Sequence, residues 1–245
     1  MITGAAGRIG ASAARAVVDE GGCVALIDVD AERLCAVADG LPTGKVLALH
    51  GNPLDPDDAD RLLSETREYF SVIDAIIHSA YPRSEGWGTA FEDLLPEYLF
   101  EDLSNHLGGA ILLSQRALRF FKKQGHGNLI HVSSVQGICA PKFEHYAGTS
   151  MVSPIEYSAI KSGLISVTRY LAKYYQGMNI RVNCISPGGI LDNQPKEFIQ
   201  KYRAACNDKG MLDAEDLNGS IVYLLSDYSR YVTGQNIIVD DGWSL

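Results

Sequence analysis

Met1-Ile2-Thr3-Gly4-Ala5-Ala6-Gly7-Arg8-Ile9-Gly10 opens the chain. Its glycines, Gly4, Gly7 and Gly10, fit G-x-x-G-x-x-G at the start of a helix expected through Ala11–Glu20. Glycines let a backbone turn tightly and approach a pyrophosphate, and a helix N-terminus adds free N–H groups and the positive end of a dipole. A small apolar strand, Cys23–Ile27, follows and ends at Asp28. An acidic side chain about 20 residues past the glycines can accept hydrogen bonds from an adenosine ribose. Glycines, strand and Asp in that order predict a dinucleotide-binding unit; the plainer alternative is a Gly-rich turn before an ordinary helix. Such a motif normally follows a strand of about five to six residues. Only Met1 and Ile2 precede Thr3, so the sequence predicts a central first strand that lacks most of its length.

The totals agree with one sizeable core. The chain has 245 residues, 46% of them hydrophobic, within the range of one α/β domain. A net charge of −9 argues against nucleic acid or an anionic membrane as the main partner. No apolar run approaches the roughly 20 residues that span a bilayer. No basic start leads into a long apolar stretch, so no signal peptide is read. Cys23, Cys35, Cys139, Cys184 and Cys206 are scattered and form no C-x-x-C. They read as reduced structural thiols of a cytoplasmic protein. The His, Cys and carboxylate spacings predict no metal site.

Along the chain, apolar strands alternate with helical stretches. Strands are expected at Val46–His50, Ile73–His78, Asn128–Val132, Ile180–Ile185 and near Asn236–Val239. Helices are expected near Ala31–Asp39, Pro56–Phe70, Leu94–Leu103, Leu107–Lys123, Ile155–Tyr175 and Ala214–Leu225. Ile73–His78 is almost continuously apolar, as a strand buried on both faces should be. The polar segment Ile190–Gly210 reads as a mobile flap with a short helix near Lys196–Cys206. This alternation predicts an α/β, doubly wound parallel sheet in a single domain over residues 1–245.

Within the long helix lies Tyr157-Ser158-Ala159-Ile160-Lys161. Residues four apart share a helix face. A phenol has a pKa of about 10, and an adjacent ammonium favours the phenolate. Such a pair can exchange a proton with a substrate hydroxyl or carbonyl. Y-x-x-x-K alone recurs by chance, as a half-buried Tyr beside a solvated Lys. Ser134 follows an expected strand at its carboxyl end, where open α/β sheets bind ligands. Ser133 and Ser134 lack the strand–turn–helix context of a nucleophilic hydrolase serine.

Taken together, these pieces give the chain a family likeness. Thr3–Gly10, Asp28, Ser79-Ala80, Ser133–Gly137, Tyr157–Lys161, Asn183–Gly188 and Tyr231–Gly234 together resemble the short-chain dehydrogenase/reductase family over nearly the whole length. The resemblance implies a Rossmann fold and hydride transfer between a nicotinamide cofactor and an alcohol or ketone. It implies Tyr157 as general acid/base, with Lys161 lowering its pKa and holding the nicotinamide ribose. Ser134 would hydrogen-bond the substrate oxygen. Gly4, Gly7, Arg8, Ile9 and Gly10 would face the pyrophosphate and Asp28 the adenosine ribose. Asn52 and Pro53 would lie at adenine, with Ser79, Ala80, Pro187, Gly188 and Ile190 elsewhere along the cofactor. Asp28 favours NAD over NADP, because a carboxylate repels a 2′-phosphate; Arg8 is a nearby cation that could offset this. A homo-oligomer, most simply a tetramer, is also implied.

The departures carry their own expectations. The G-x-x-G-x-x-G spacing looks more like the family's extended branch. His78-Ser79-Ala80-Tyr81 stands where N-N-A-G is usual, and the loop from Ser134 to Tyr157 is long. His106 falls where relatives place a relay Asn, so it is expected to pass protons and to add a titration near neutral pH; the alternative is a packed helical His. Tyr81, Arg83 and Lys142 are candidate substrate contacts, the two cations suiting an anionic group or else being solvated loop residues. His145 and Tyr146 line a pocket or pack the long loop. Tyr81-Pro82-Arg83, His106–Gly109 and Ala140–Glu144 look like a subgroup met in bacterial flagellin-glycan and nonulosonic-acid sugar pathways. The substrate is therefore expected to be a small molecule, on this resemblance a sugar or nucleotide-sugar. A non-catalytic NAD(P)-sensing protein on the same fold is the alternative function.

Overall fold

The computed structural model describes Met1–Leu245. In chain order the strands are β1 (Ile2–Thr3), β2 (Val24–Asp28), β3 (Val46–His50), β4 (Ala75–His78), β5 (Gly127–Val132), β6 (Ile180–Pro187) and β7 (Asn236–Val239). The helices are α1 (Arg8–Asp19), α2 (Ala31–Asp39), α3 (Pro56–Phe70), α4 (Pro96–Asp102), α5 (Gly109–Gln124), α6 (Ile155–Tyr174), α7 (Lys196–Ala204) and α8 (Asn218–Leu225). The sheet runs β3-β2-β1-β4-β5-β6-β7 and every pairing is parallel.

Period-two alternation assigns the apolar side chains to two layers. Leu26, Ile77, Ile130 and Ile185 face a core shared with α1 and α8, including Ala13, Val18, Leu217 and Leu224. Ala25, Ile27, Ile76, Leu129 and Val182 face the opposite core, with Leu62 and Leu63 of α3, Leu118 and Phe121 of α5, and Ala172 of α6. A sheet buried on both faces explains why the strands read as near-continuous apolar runs.

β1 is two residues long yet sits at the centre, pairing with β2 on one side and β4 on the other. The chain order reverses between β1 and β4, the position where open α/β sheets bind ligands. There Gly4 adopts φ +69°, and a Cβ on it would lie 2.7 Å from the Ala80 backbone. A Cβ on Gly10 would lie 2.3 Å from the Gly4 carbonyl oxygen. Only glycine fits either position.

The structure corrects three expectations. α1 begins at Arg8, so the third glycine lies inside the first turn rather than before the helix. The two helices expected around Leu94–Lys123 are joined: α4 passes into α5 through a π-helical turn, Leu103–Gly108. The segment Ile190–Gly210 is seated rather than loose. Phe198 and Tyr202 of α7 are buried against Val135, Met211 and Trp243, and the Tyr202 hydroxyl accepts from Gly189 N at 2.6 Å. Spacing i, i+4 puts both rings on one helix face.

Candidate active site

A cleft of about 740 Å³ runs across the carboxyl ends of the strands. One half of it contains Gly4, Gly7, Arg8, Ile9, Gly10, Asp28, Asn52, Pro53, Ser79 and Ala80, the set expected at a dinucleotide. Pro187, Gly188 and Ile190 continue the lining. The residues suit a dinucleotide. Gly4 packs on the Ala80 backbone and Gly10 on the Gly4 carbonyl, which holds the turn closed at the mouth of the cleft. Gly7 caps α1 without a side chain, so first-turn N–H groups of α1 are left for an anion. Asp28 ends β2, its carboxylate accepting from Ala6 N at 2.9 Å and Asp30 N at 3.1 Å. Arg8 is paired with Asp192 from the segment after β6. Asn52 accepts from Leu54 N at 3.1 Å through its side chain, and Ser79 Oγ donates to Thr3 O at 2.7 Å.

In the other half, Ser134, Tyr157 and Lys161 line the same cleft. α6 brings Tyr157 and Lys161 to one face, and Ser133 Oγ ties β5 to α6 by donating to Lys161 O at 2.7 Å. The Lys161 ammonium is buried and donates to Val132 O at 3.1 Å. It lies 5.2 Å from the Tyr81 ring centre and 5.5 Å from that of Tyr157. Burial draws its pKa down to about 8. Burial likewise raises the Tyr157 phenol, opposed by a hydrogen bond with Ser134. The expectation that Lys161 pulls the phenol down is therefore not met by the protein's own groups. The ammonium sits over ring faces, and desolvation dominates.

His106 departs furthest from expectation. It is fully buried in the π turn, and neither ring nitrogen has a hydrogen-bond partner. Its ring lies 5.2 Å from that of Tyr81. Burial, with smaller contributions from Lys161 and His78, lowers its pKa to about 2. It is uncharged at neutral pH and does not line the cleft, so the neutral-pH titration expected of it does not arise. Lys142 also lies outside the lining, its ammonium 5.1 Å from the Trp243 ring centre. Tyr81 and Arg83 do line the cleft, as do His145 and Tyr146.

Trp87, Ser153, Tyr202 and Trp243 also line the wall and were not singled out by the sequence. The i, i+4 pair Phe198 and Tyr202 was a legible signal; Trp243, near the carboxyl end, carried none. No group of three or more His, Cys, Asp or Glu side chains is placed to hold a metal ion. No helix is long and apolar enough to cross a membrane.

The family model described as enoyl-(acyl carrier protein) reductase matches residues 4–244. The chain belongs to the short-chain dehydrogenase/reductase family. It is an oxidoreductase of that family, acting with NAD(P) on CH–OH or keto groups. Among its relatives, post-translational flagellin modification protein A of Campylobacter coli is 42% identical, over 100% of this chain and 97% of that one. The 7alpha-hydroxysteroid dehydrogenase of Bacteroides fragilis is 31% identical over 100% and 93%. The crystal structure of a short-chain dehydrogenase from Leptospira borgpetersenii with bound NAD+ superposes with a TM-score of 0.86 at 30% identity, covering 100% of this chain and 91% of that one.

The buried ammonium gives a stability test. Between pH 8 and 10.5 the unfolded chain holds the Lys161 proton and the folded protein does not. Stability attributable to this group therefore rises with pH through that window, because the penalty for burying the cation is relieved. In denaturant titrations, wild type should gain on Lys161→Met by about 3 kcal/mol from pH 7 to pH 10.5, at roughly 1.4 kcal/mol per unit. Parallel stability curves would show that Lys161 keeps an ordinary pKa.

Proposed function

We propose that Tyr157 is the general acid/base of a hydride-transfer reaction on the hydroxyl or keto group of a sugar or nucleotide-sugar. The observation that carries this reading is the convergence of Ser134, Tyr157 and Lys161 on the cleft that also holds the glycine cradle and Asp28. The nicotinamide cofactor supplies the hydride acceptor or donor. The chain's residues supply binding and the proton path. In oxidation, Tyr157 as phenolate takes the substrate hydroxyl proton; in reduction, as phenol, it returns one to the carbonyl oxygen. Ser134 donates to that oxygen and holds it against Tyr157 Oη. Lys161, anchored on Val132 O, keeps positive charge beside the phenol and faces the nicotinamide ribose. Gly4, Gly7, Arg8, Ile9 and Gly10 cradle the pyrophosphate. Asn52 and Pro53 face adenine, and Ser79, Ala80, Pro187, Gly188 and Ile190 flank the remainder. The sugar assignment draws on the likeness to the flagellin-glycan subgroup and on a 42% identical relative named for flagellin modification. The setting is cytoplasmic, in keeping with five free thiols.

Tyr157→Phe keeps the ring and removes the proton carrier. Turnover should fall by about 10²–10⁴-fold, the usual weight of a general acid/base, with NADH binding retained. Because the phenol is held above its ordinary pKa, alcohol oxidation should climb with pH through the alkaline range while ketone reduction does not. Retained turnover in the Phe variant would instead favour the non-catalytic NAD(P)-sensing alternative.

Asp28 makes NAD the cofactor rather than NADP. Its carboxylate, with Asp30 beside it, repels a 2′-phosphate, and Arg8 is engaged by Asp192. Fluorescence titration should give tighter binding for NADH than for NADPH, and Asp28→Ala should narrow the gap. Equal or tighter NADPH binding in wild type removes the preference.

The protein is also proposed to be a homotetramer. Ile111 and Leu112 on α5, and Ile155, Tyr170 and Tyr174 on α6, are exposed apolar groups that a second copy would cover. Light scattering at micromolar concentration should return four times the chain mass of 26.6 kDa; a monomer mass rules this out.

A further inference from the structure

The cleft is polarised along its length. Its three carboxylates, Asp28, Asp30 and Asp192, all line the dinucleotide half. Between Tyr81 and Trp87, and between Val132 and Lys161, no Asp or Glu lines the cleft, in a chain whose net charge is −9. That same wall carries Arg83. Arg83 forms none of the protein's ion pairs. Its guanidinium lies 5.5 Å from the Tyr81 ring centre, and the Tyr81 ring lies 5.7 Å from that of Tyr157. A cation is thus held one aromatic ring away from the phenol.

The acids behind this wall form no ion pair with Arg83. Asp102 is buried and accepts from Ser84 N at 2.7 Å and Ser84 Oγ at 2.8 Å, which pins the loop carrying Arg83. Glu156 is buried with both oxygens unpartnered, and burial pushes its carboxyl toward the neutral acid. Neither lines the cleft. Besides Arg83 and Lys161, the Lys142 ammonium, on the Trp243 ring, is a third cation near the same half. Gln136 accepts from Ser153 Oγ at 2.8 Å and donates to the Tyr146 hydroxyl at 3.2 Å, giving the wall hydroxyl and amide groups able to read a polyol. An exposed guanidinium at the cleft wall beside Tyr157, with no carboxylate on it, can receive a planar or tetrahedral oxyanion, because its fork matches carboxylate and phosphate.

We propose that Arg83 is a specificity-determining residue and that the substrate is an anionic hydroxy or keto compound, carrying a phosphate or carboxylate that binds Arg83 while its reacting carbon lies at Tyr157. This rests on the reading of Tyr157 as the reacting end of the cleft. An anion on Arg83 fixes one end of the substrate, so the reacting group is oriented by a contact remote from the chemistry. A neutral polyol would lack that anchor.

The test uses full-length protein saturated with NADH, so that the dinucleotide half is filled. Calorimetric titrations compare inorganic phosphate, glucose 6-phosphate, gluconate and glucose. The anionic probes should bind wild type, the phosphate and carboxylate arms showing which oxyanion is preferred. Arg83→Ala should weaken them by about tenfold or more, the weight of a charge-assisted hydrogen bond, and leave glucose unaffected. Arg83→Lys should recover only part, since it keeps the charge and loses the fork. Near-UV circular dichroism and NADH affinity report whether each variant is folded. Absence of anion binding to wild type, or binding that Arg83→Ala does not weaken, overturns the proposal. Tyr157→Phe separates the two readings: it should retain anion binding and lose turnover, so an active Phe variant sinks the catalytic assignment without touching the anion result.

Discussion

A charged amine has been taken out of water and held beneath a phenol, and much of the structure serves that placement. Burying an isolated ammonium is costly unless hydrogen bonds and favourable charges replace its hydration. Lys161 receives one carbonyl, from Val132 at the end of β5, and two aromatic faces. Both need the sheet: Val132 O is positioned by the β5–β6 ladder, and Tyr157 by α6, which is tied to β5 through Ser133. His78, His131 and His106 lie near enough to feel the Lys161 charge, and burial keeps all three as neutral imidazoles, with pKa values lowered to about 3, about 4 and about 2. The three imidazoles therefore leave the positive charge beside Tyr157 on the lysine instead of sharing it.

The same economy explains the glycines. The chain order reverses between β1 and β4, and the segments that leave their carboxyl ends diverge to open a crevice there while the strands stay paired. Gly4 meets the Ala80 backbone with no space for a side chain, and Ser79 Oγ closes the seam onto Thr3 O. The crevice is thus bounded by main chain on its dinucleotide side, where an anion can approach N–H groups, and by aromatic side chains on its other side.

Much of this was legible in the sequence, and the reasons are local. Gly4-x-x-Gly7-x-x-Gly10, the apolar strand to Asp28, and Tyr157 with Lys161 at i, i+4 each encode a backbone or helix-face geometry within a short window, and the structure brings them to one cleft. What escaped depends on distant partners. Nothing in Leu103–Gly108 announces a π turn that fuses two expected helices. The titrating role read into His106 failed because burial, invisible in its own neighbours, outweighs an intrinsic pKa near 6.5. The flap between β6 and α8 read as loose because its composition is polar; its two buried rings, Phe198 and Tyr202, find Val135 and Trp243 only in the folded chain.

Tyr81 shows how one departure reorganises the site. A small residue is usual there in the family that the chain resembles; here a phenol ring stands after β4, with Lys161 at 5.2 Å, Arg83 at 5.5 Å, and the Tyr157, His106 and Trp87 rings at 5.7, 5.2 and 5.3 Å. Burial holds its hydroxyl well above the ordinary phenol range, so the ring acts as a neutral surface with a negative face. Its π system can attract both cations, Lys161 beside Tyr157 and Arg83 at the cleft wall. A glycine could do neither. Without the ring, Lys161 would keep only the Tyr157 face and Val132 O, and Arg83 would lose the surface that sets it beside the reacting end. The Tyr81 ring thus lies between the Lys161 ammonium, beside Tyr157, and the Arg83 guanidinium, with the His106 ring packed against it.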